Sequence, residues 1–169
     1  GGGAAVVGID EDGTRTVIDW SVLPGRVGAV AAELRRLGVR AGDGVVAYLP
    51  DIAEAVVAFL ATAAVGAVWS SCGQDYAPEG AAARLGQLAP TVLFSCDGYR
   101  FNGRWIDKRA DTSELLGMLA GAQLIGLDSD AYRAIVADPV TPEVTPVPFD
   151  HPLWVLFTSG TTGRPKGIA

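Results

Sequence analysis

A chain of 169 residues has the length of one domain, and folding at that size buries about 70% of the surface an extended chain exposes. Hydrophobic residues make up 49% of it and charged residues 19%, with mean hydropathy +0.29, which excludes the polar, highly charged class that stays disordered. Thirteen Lys and Arg against nineteen Asp and Glu leave a net charge of −6, so no basic field exists to hold a phosphate backbone and nucleic acid is not an expected partner.

The chain opens on Gly1-Gly2-Gly3 without an initiator Met, a basic stretch or a cleavage pattern, and reads as a cut end rather than a signal peptide. Val6 to Ile9 and Thr14 to Asp19 are β-type runs around Asp12-Gly13, a hairpin signal. Ser21 is placed to cap the next helix, Pro24 is tolerable in its first turn, and Val27, Val30, Leu34 and Leu37 recur at helical spacing until Gly38. Val45 to Leu49 is a continuous apolar run of the kind buried in a parallel sheet. Asp51 and Glu54 have capping-box spacing before an Ala-rich helix to Ala64. The apolar stretch Ala55 to Trp69 is 15 residues long, short of the roughly 18 to 20 that cross a bilayer, so no membrane span is expected.

Strand and helix then alternate: Ala67 to Ser71 strand, Pro78 to Leu88 helix, Thr91 to Cys96 strand, Thr112 to Leu119 helix, Gln123 to Leu127 strand, and a helix near Asp130 to Ala137. This order predicts an α/β fold, an open, mostly parallel sheet with helices on both faces. Within it, Asn102-Gly103 between Tyr99-Arg100-Phe101 and Arg104-Trp105 predicts a hairpin just past a core strand. Five prolines between Asp138 and Pro152 keep that segment extended as a connector. Cys72 and Cys96, each in an apolar stretch, read as buried reduced thiols, which fits a cytoplasmic protein. With His151 they are the only Cys and His residues, too few for a zinc cluster, so no metal site is expected among these residues. His151, beside Pro152, reads as a turn residue rather than a base.

Leu153 to Phe157 reads as a buried strand that runs into Thr158-Ser159-Gly160-Thr161-Thr162-Gly163-Arg164-Pro165-Lys166-Gly167. Small residues let backbone N–H groups face an anion, the hydroxyls add donors, and Lys166, one of only two lysines, adds a full positive charge. Polyphosphate is the ligand such a loop suits; the bland alternative is a polar hairpin loop. The spacing is not that of a Walker A loop, because Arg164-Pro165 separates Gly163 from Lys166.

Thr158 to Gly167 resembles the phosphate-binding signature of the AMP-forming adenylating enzymes, which include acyl-CoA synthetases, firefly luciferases and peptide-synthetase adenylation domains. The stretches Val45 to Ala58, Gly66 to Cys72, Val92 to Phe94, Asp97 to Arg100 and Pro148 to Trp154 are similar to the branch that activates acetoacetate, while Gly73-Gln74-Asp75-Tyr76 departs from it. The resemblance implies ATP, Mg2+, acetoacetate and CoA reacting through an acyl-adenylate, with AMP and pyrophosphate released. Thr158, Ser159, Gly160, Thr161, Thr162, Gly163 and Lys166 would grip the ATP phosphates, with Lys166 in the catalytic role. Arg100 and Arg104 lie in a segment that resembles the CoA-nucleotide contact of related enzymes; a solvated hairpin with two surface arginines is the alternative. Residues 1–169 would then be the partial N-terminal, AMP-binding domain of a ligase. They would end just after the phosphate loop, without the C-terminal domain, the acyl pocket or the magnesium-binding acid. Such a piece is expected to be inactive alone and to pair with the missing remainder. A ligase for acetate or propionate, and a non-catalytic nucleotide-binding module, stand as the alternatives.

Overall fold

The computed structural model describes residues 2–158 and 165–169. An antiparallel hairpin of β1 (Ala4–Ile9) and β2 (Arg15–Asp19) opens the chain, its turn closed by Gly13 at φ +81°. Helix α1 (Leu23–Arg36) follows. Ser21 does not cap it: the Val22 N–H is taken by the Asp19 carbonyl at 3.0 Å, which pulls Ser21 into a turn one position too early.

The core is a four-stranded parallel sheet of β3 (Gly44–Tyr48), β4 (Val68–Cys72), β5 (Val92–Ser95) and β8 (Gln123–Gly126), in the order β4-β3-β5-β8. Helix α2 (Ala53–Val65) connects β3 to β4. Helix α3 (Pro78–Leu85), extended by a single 3-10 turn over Gly86–Leu88, leads to β5. A second antiparallel hairpin, β6 (Gly98–Phe101) and β7 (Arg104–Asp107), and helix α4 (Arg109–Met118) separate β5 from β8; helix α5 (Asp130–Ala137) follows. Successive strand residues face opposite sides, so Val45, Ala47, Trp69, Val92, Phe94 and Ile125 pack under α1, α2 and α5. Val46, Tyr48 and Leu93 pack under α3 and α4. The expected α/β fold with helices on both faces is what the molecule has.

The α1, α2 and α5 layer is pinned by one polar triad. Arg26 Nη1 pairs with Glu54 Oε1 at 2.7 Å, and the Tyr132 hydroxyl donates to Glu54 Oε2 at 2.7 Å. Glu54 therefore does not close a capping box with Asp51. The helix starts at Ala53 with Ile52 as its cap, and a guanidinium with a phenol offers Glu54 stronger partners than one backbone N–H. Replacing Glu54 by Ala is expected to cost about 1–2 kcal/mol by chemical denaturation, because Arg26 and Tyr132 lose a shared charged acceptor. Tyr132→Phe, which leaves the ion pair in place, is expected to cost about 1 kcal/mol or less.

From α5 the chain returns to the far edge of the sheet as a strap over residues 138–152. The Val140 N–H donates to the Gly25 carbonyl at 3.1 Å and the Thr145 N–H to the Ala64 carbonyl at 2.8 Å. Arg35 Nη2 reaches the Glu143 carbonyl at 2.8 Å and the Thr145 hydroxyl at 3.3 Å. The strap fits because Gly25 and Gly28, on one face of α1, carry no side chain: a Cβ on Gly28 would lie 1.9 Å from the Val140 carbonyl oxygen. His151, at the end of the strap, donates from Nε2 to the Gly66 carbonyl at 2.8 Å and holds the turn.

Beyond the strap, Leu153 to Phe157 is not the buried strand that its composition predicts. Trp154 forms a single parallel bridge to Trp69, and only Leu156–Phe157 (β9) forms a strand, antiparallel to Gly167–Ile168 (β10). Leu153, Trp154 and Leu156 are 51%, 39% and 58% exposed, because the segment sits outside β4 at the sheet edge, where α2 reaches it through Phe59, whose ring lies 5.2 Å from that of Trp154.

Candidate phosphate and nucleotide site

Strand order places the switch point of the sheet between β3 and β5: the chain leaves β3 for α2 on one face and β5 for α4 on the other. In open α/β sheets, ligands bind outside the carboxyl ends of the strands at such a point. Here that crevice is filled by Gln74, only 1% exposed. Its Nε2 donates to the Cys96 carbonyl at 2.7 Å and to Ser95 Oγ at 3.3 Å. The Tyr48 hydroxyl donates to the Tyr76 carbonyl at 2.6 Å, and Ser95 Oγ shares a hydrogen bond with Thr112 at 2.9 Å. Burial raises the Tyr48 phenol well above its ordinary range, with nearby negative charge adding to it. Gln74 falls in the stretch that departs from the acetoacetate-activating branch, the one sequence signal that marked it.

Cys72 and Cys96 flank this crevice as free thiols. Burial pushes Cys72 up to about 12 and Cys96 to about 11, so both carry their protons at neutral pH. Because an unfolded thiol ionises near 9, unfolding releases protons above that pH. The stability these neutral thiols lend is complete below pH 9 and is lost as pH rises toward 11 and 12. Alkylation by iodoacetamide is therefore expected to be slow in the folded protein at pH 7.5 and fast in denaturant, with both thiols modified there.

The phosphate-loop reading falls largely outside the described residues: Ser159, Gly160, Thr161, Thr162, Gly163 and Arg164 are not among them. The two ends are. The Thr158 N–H donates to the Lys166 carbonyl at 3.2 Å, continuing the β9–β10 ladder, and the Pro165 carbonyl accepts from Gln87 Nε2 at 3.0 Å. Thr158 and Lys166 are thus brought together as the two ends of one hairpin, and the Lys166 side chain is exposed.

Arg100 and Arg104 lie on the β6–β7 hairpin, as the sequence predicts. Its turn is built on Asn102 at φ +50° and Gly103 at φ +72°, both left-handed, the two-residue turn that Asn-Gly favours. Arg100 stands opposite Trp105 and Phe101 opposite Arg104, so the two arginines point to opposite faces of the hairpin. Each face carries one guanidinium beside one aromatic ring, with Phe101 and Trp105 57% and 54% exposed. Among the described residues neither arginine is in an ion pair. Asp107, the last residue of β7, is engaged by Arg109, whose guanidinium and backbone N–H hold its carboxyl down at about 2. The root of this hairpin on β5 and the loop-bearing edge beyond β4 are three strand positions apart, about 14 Å along the sheet.

Two cavities open at the carboxyl end of the sheet. One, of about 390 Å³, lies between Leu49, Phe59, Trp69, Cys72 and Trp154; the other, of about 210 Å³, lies between Asp97, Thr112, Leu116 and Leu124. Among the described residues no three His, Cys, Asp or Glu side chains converge to hold a metal ion. No helix among the described residues is long and apolar enough to cross a membrane.

The model of the family described as AMP-binding enzyme matches residues 3–169. The chain belongs to that family. Among curated relatives, acetoacetyl-coenzyme A synthetase of Rhizobium meliloti is 36% identical over 99% of this chain and 28% of its own length. Malonamoyl-CoA synthetase vrtB of Penicillium aethiopicum is 33% identical over 97% of this chain and 26% of its own length. The solved acetoacetyl-CoA synthetase from Streptomyces lividans superposes with a TM-score of 0.92 at 44% identity, over 98% of this chain and 27% of that one. The chain thus spans about a quarter of the length of the relatives it matches, and within that quarter its fold is that of an acetoacetyl-CoA synthetase.

Proposed function

We propose that these residues are the N-terminal part of an AMP-forming acid–CoA ligase whose acid is acetoacetate. The observation that carries the reading is likeness, over nearly the whole chain, to proteins named acetoacetyl-CoA synthetase from distant organisms. ATP and CoA enter as substrates. An oxygen of the carboxylate attacks the α-phosphorus of ATP, the bond to the β-phosphate breaks, and pyrophosphate leaves. The CoA sulfur then attacks the acyl carbon, its proton is lost, and AMP departs with the electron pair of the acyl C–O bond.

Thr158 to Gly163 and Lys166 hold the β- and γ-phosphates and stabilise the charge that moves onto them as pyrophosphate leaves. The close pairing of Thr158 and Lys166 supports this role, because it fixes both ends of the loop. The β6–β7 hairpin receives the nucleotide end of CoA: a guanidinium beside an exposed aromatic ring suits an adenine that stacks and a ribose phosphate that carries charge. The free thiols Cys72 and Cys96 support a reducing, cytoplasmic setting.

The malonamoyl-named relative favours a second reading of the acid alone. Malonamate and acetoacetate share a three-carbon core with a carbonyl on C3 and differ only in an amino group against a methyl. The substrate class is therefore a short acid with a β-carbonyl. The test is exchange of labelled pyrophosphate into ATP by the full-length gene product, with acetoacetate, malonamate, acetate and propionate compared. Exchange led by acetoacetate is expected. Exchange led by acetate or propionate overturns the acid, and no exchange with any of them overturns the adenylation reading. The 169 residues alone are expected to form no AMP, since positioning both reactants needs groups outside them.

A further inference from the structure

The turn of the β6–β7 hairpin does not stand free. The Asn102 N–H donates to Glu11 Oε1 at 3.0 Å and the Gly103 N–H to Glu11 Oε2 at 3.1 Å. Two successive N–H groups of a left-handed turn form a small concave anion site, and one carboxylate spans it with both oxygens. Glu11 sits in the β1–β2 turn, ninety-odd positions away in sequence. That first hairpin is itself seated on the sheet layer: Gly8 lies against the first residue of α2, Ala53, and Ile18 is buried in the core. Helix α2 starts at the carboxyl end of β3, while β6 starts just past the carboxyl end of β5. The Glu11 contact thus braces the hairpin that carries Arg100 and Arg104 from across the switch point.

The neighbouring acid reports the same proximity from another direction. Asp12 has its carboxyl held below the ordinary range, first by the Thr14 N–H and hydroxyl and further by the charge of Arg100. Away from its base, where the Lys108 N–H donates to the Asp97 carbonyl at 2.7 Å, the β6–β7 hairpin is exposed on Phe101, Asn102, Gly103, Arg104 and Trp105. A two-stranded hairpin on its own is marginally stable in water. Its tip needs an outside tether to hold one orientation.

We infer that Glu11 is a positioning residue for CoA: by clamping the Asn102–Gly103 turn it fixes the pose in which the hairpin presents its guanidinium and aromatic pairs to the nucleotide. Glu11 does not touch the ligand; it lowers the cost of ordering the hairpin when the ligand arrives. The inference rests on the reading of this hairpin as the CoA-nucleotide contact, and the experiment separates the two.

In the full-length gene product, Glu11→Ala, Glu11→Gln and Arg100→Ala are compared for the KM of CoA, the KM of ATP, kcat, and hydrogen–deuterium exchange of the 102–103 amides. Glu11→Ala is expected to speed exchange of those amides and to raise the KM of CoA by about three- to tenfold, the worth of one or two hydrogen bonds. The KM of ATP and kcat should stay within about twofold on the same scale. Glu11→Gln keeps an acceptor oxygen and is expected to recover part of both effects. Arg100→Ala should raise the KM of CoA without speeding exchange at 102–103. If Arg100→Ala weakens CoA while Glu11→Ala leaves its KM unchanged, the brace is wrong and the nucleotide reading stands. If neither variant changes it, both are overturned. A Glu11→Ala protein in which kcat and both KM values shift together marks a general loss of structure and overturns the positioning role.

Discussion

Replacing Lys166 by Ala in the full-length gene product is expected to lower acid-dependent ATP–pyrophosphate exchange by on the order of a hundredfold, the cost of removing one preorganised donor from developing charge. Stability is expected to change by no more than about 0.5 kcal/mol, as for surface substitutions elsewhere. The difference follows from what the residue does in the fold. Its side chain is exposed, and its structural contact is made by its carbonyl oxygen, which accepts from the Thr158 N–H at 3.2 Å. Alanine keeps that carbonyl and loses the exposed alkyl stem with its ammonium. Lys166→Arg retains the charge on a planar fork rather than a compact point, so it is expected to fall between the two. Unaltered exchange in Lys166→Ala would remove this residue from the phosphate grip.

Gly28→Ala is expected to destabilise the protein by about 1–3 kcal/mol, the range for forcing a methyl into filled space. The sign is informative, because in a helix interior alanine is ordinarily favoured over glycine by about 1 kcal/mol. At Gly28 the new Cβ would meet backbone on every near side: the Val140 carbonyl oxygen at 1.9 Å, its carbon at 2.7 Å and the Pro142 nitrogen at 2.8 Å. Backbone cannot rotate aside as a side chain can, so the strap must lift from α1. Gly117 in α4 is the control, since its Cβ would meet nothing within 4 Å. Gly117→Ala is expected to stabilise by about 0.5–1 kcal/mol. Urea denaturation of the two variants side by side checks both signs; equal stabilisation would show that the strap is not seated on Gly28.

The layered sheet was legible because its signals are local. Continuous apolar runs, the Asn102-Gly103 turn and the helix over Asp130–Ala137 each need only a few neighbouring residues to be recognised. What could not be read depends on partners far along the chain. Glu54 looks like a capping residue beside Asp51 until Arg26 and Tyr132 arrive from two other helices. Nothing in the local sequence marks Gly25 and Gly28 as a seat for residues 139–142, which lie across them in the fold. Leu153 to Phe157 has the composition of a core strand, yet burial is decided by the layers around it. Of the candidate site, the Arg100 and Arg104 hairpin was found and its two-faced presentation was not. The facing follows only from the cross-strand register.

The strap also orders the events of folding. Its anchors to Arg35 close loops of 108 and 110 residues, and no such contact repays its closure entropy until α1, α2 and the sheet beneath them have formed. Seating the strap is therefore expected to be a late step, on the native side of the folding barrier. Changes at Gly28 or Arg35 should accelerate unfolding more than they slow folding. Thr158 and Lys166 follow this segment in the chain, so their pairing is expected to form only after the strap is seated.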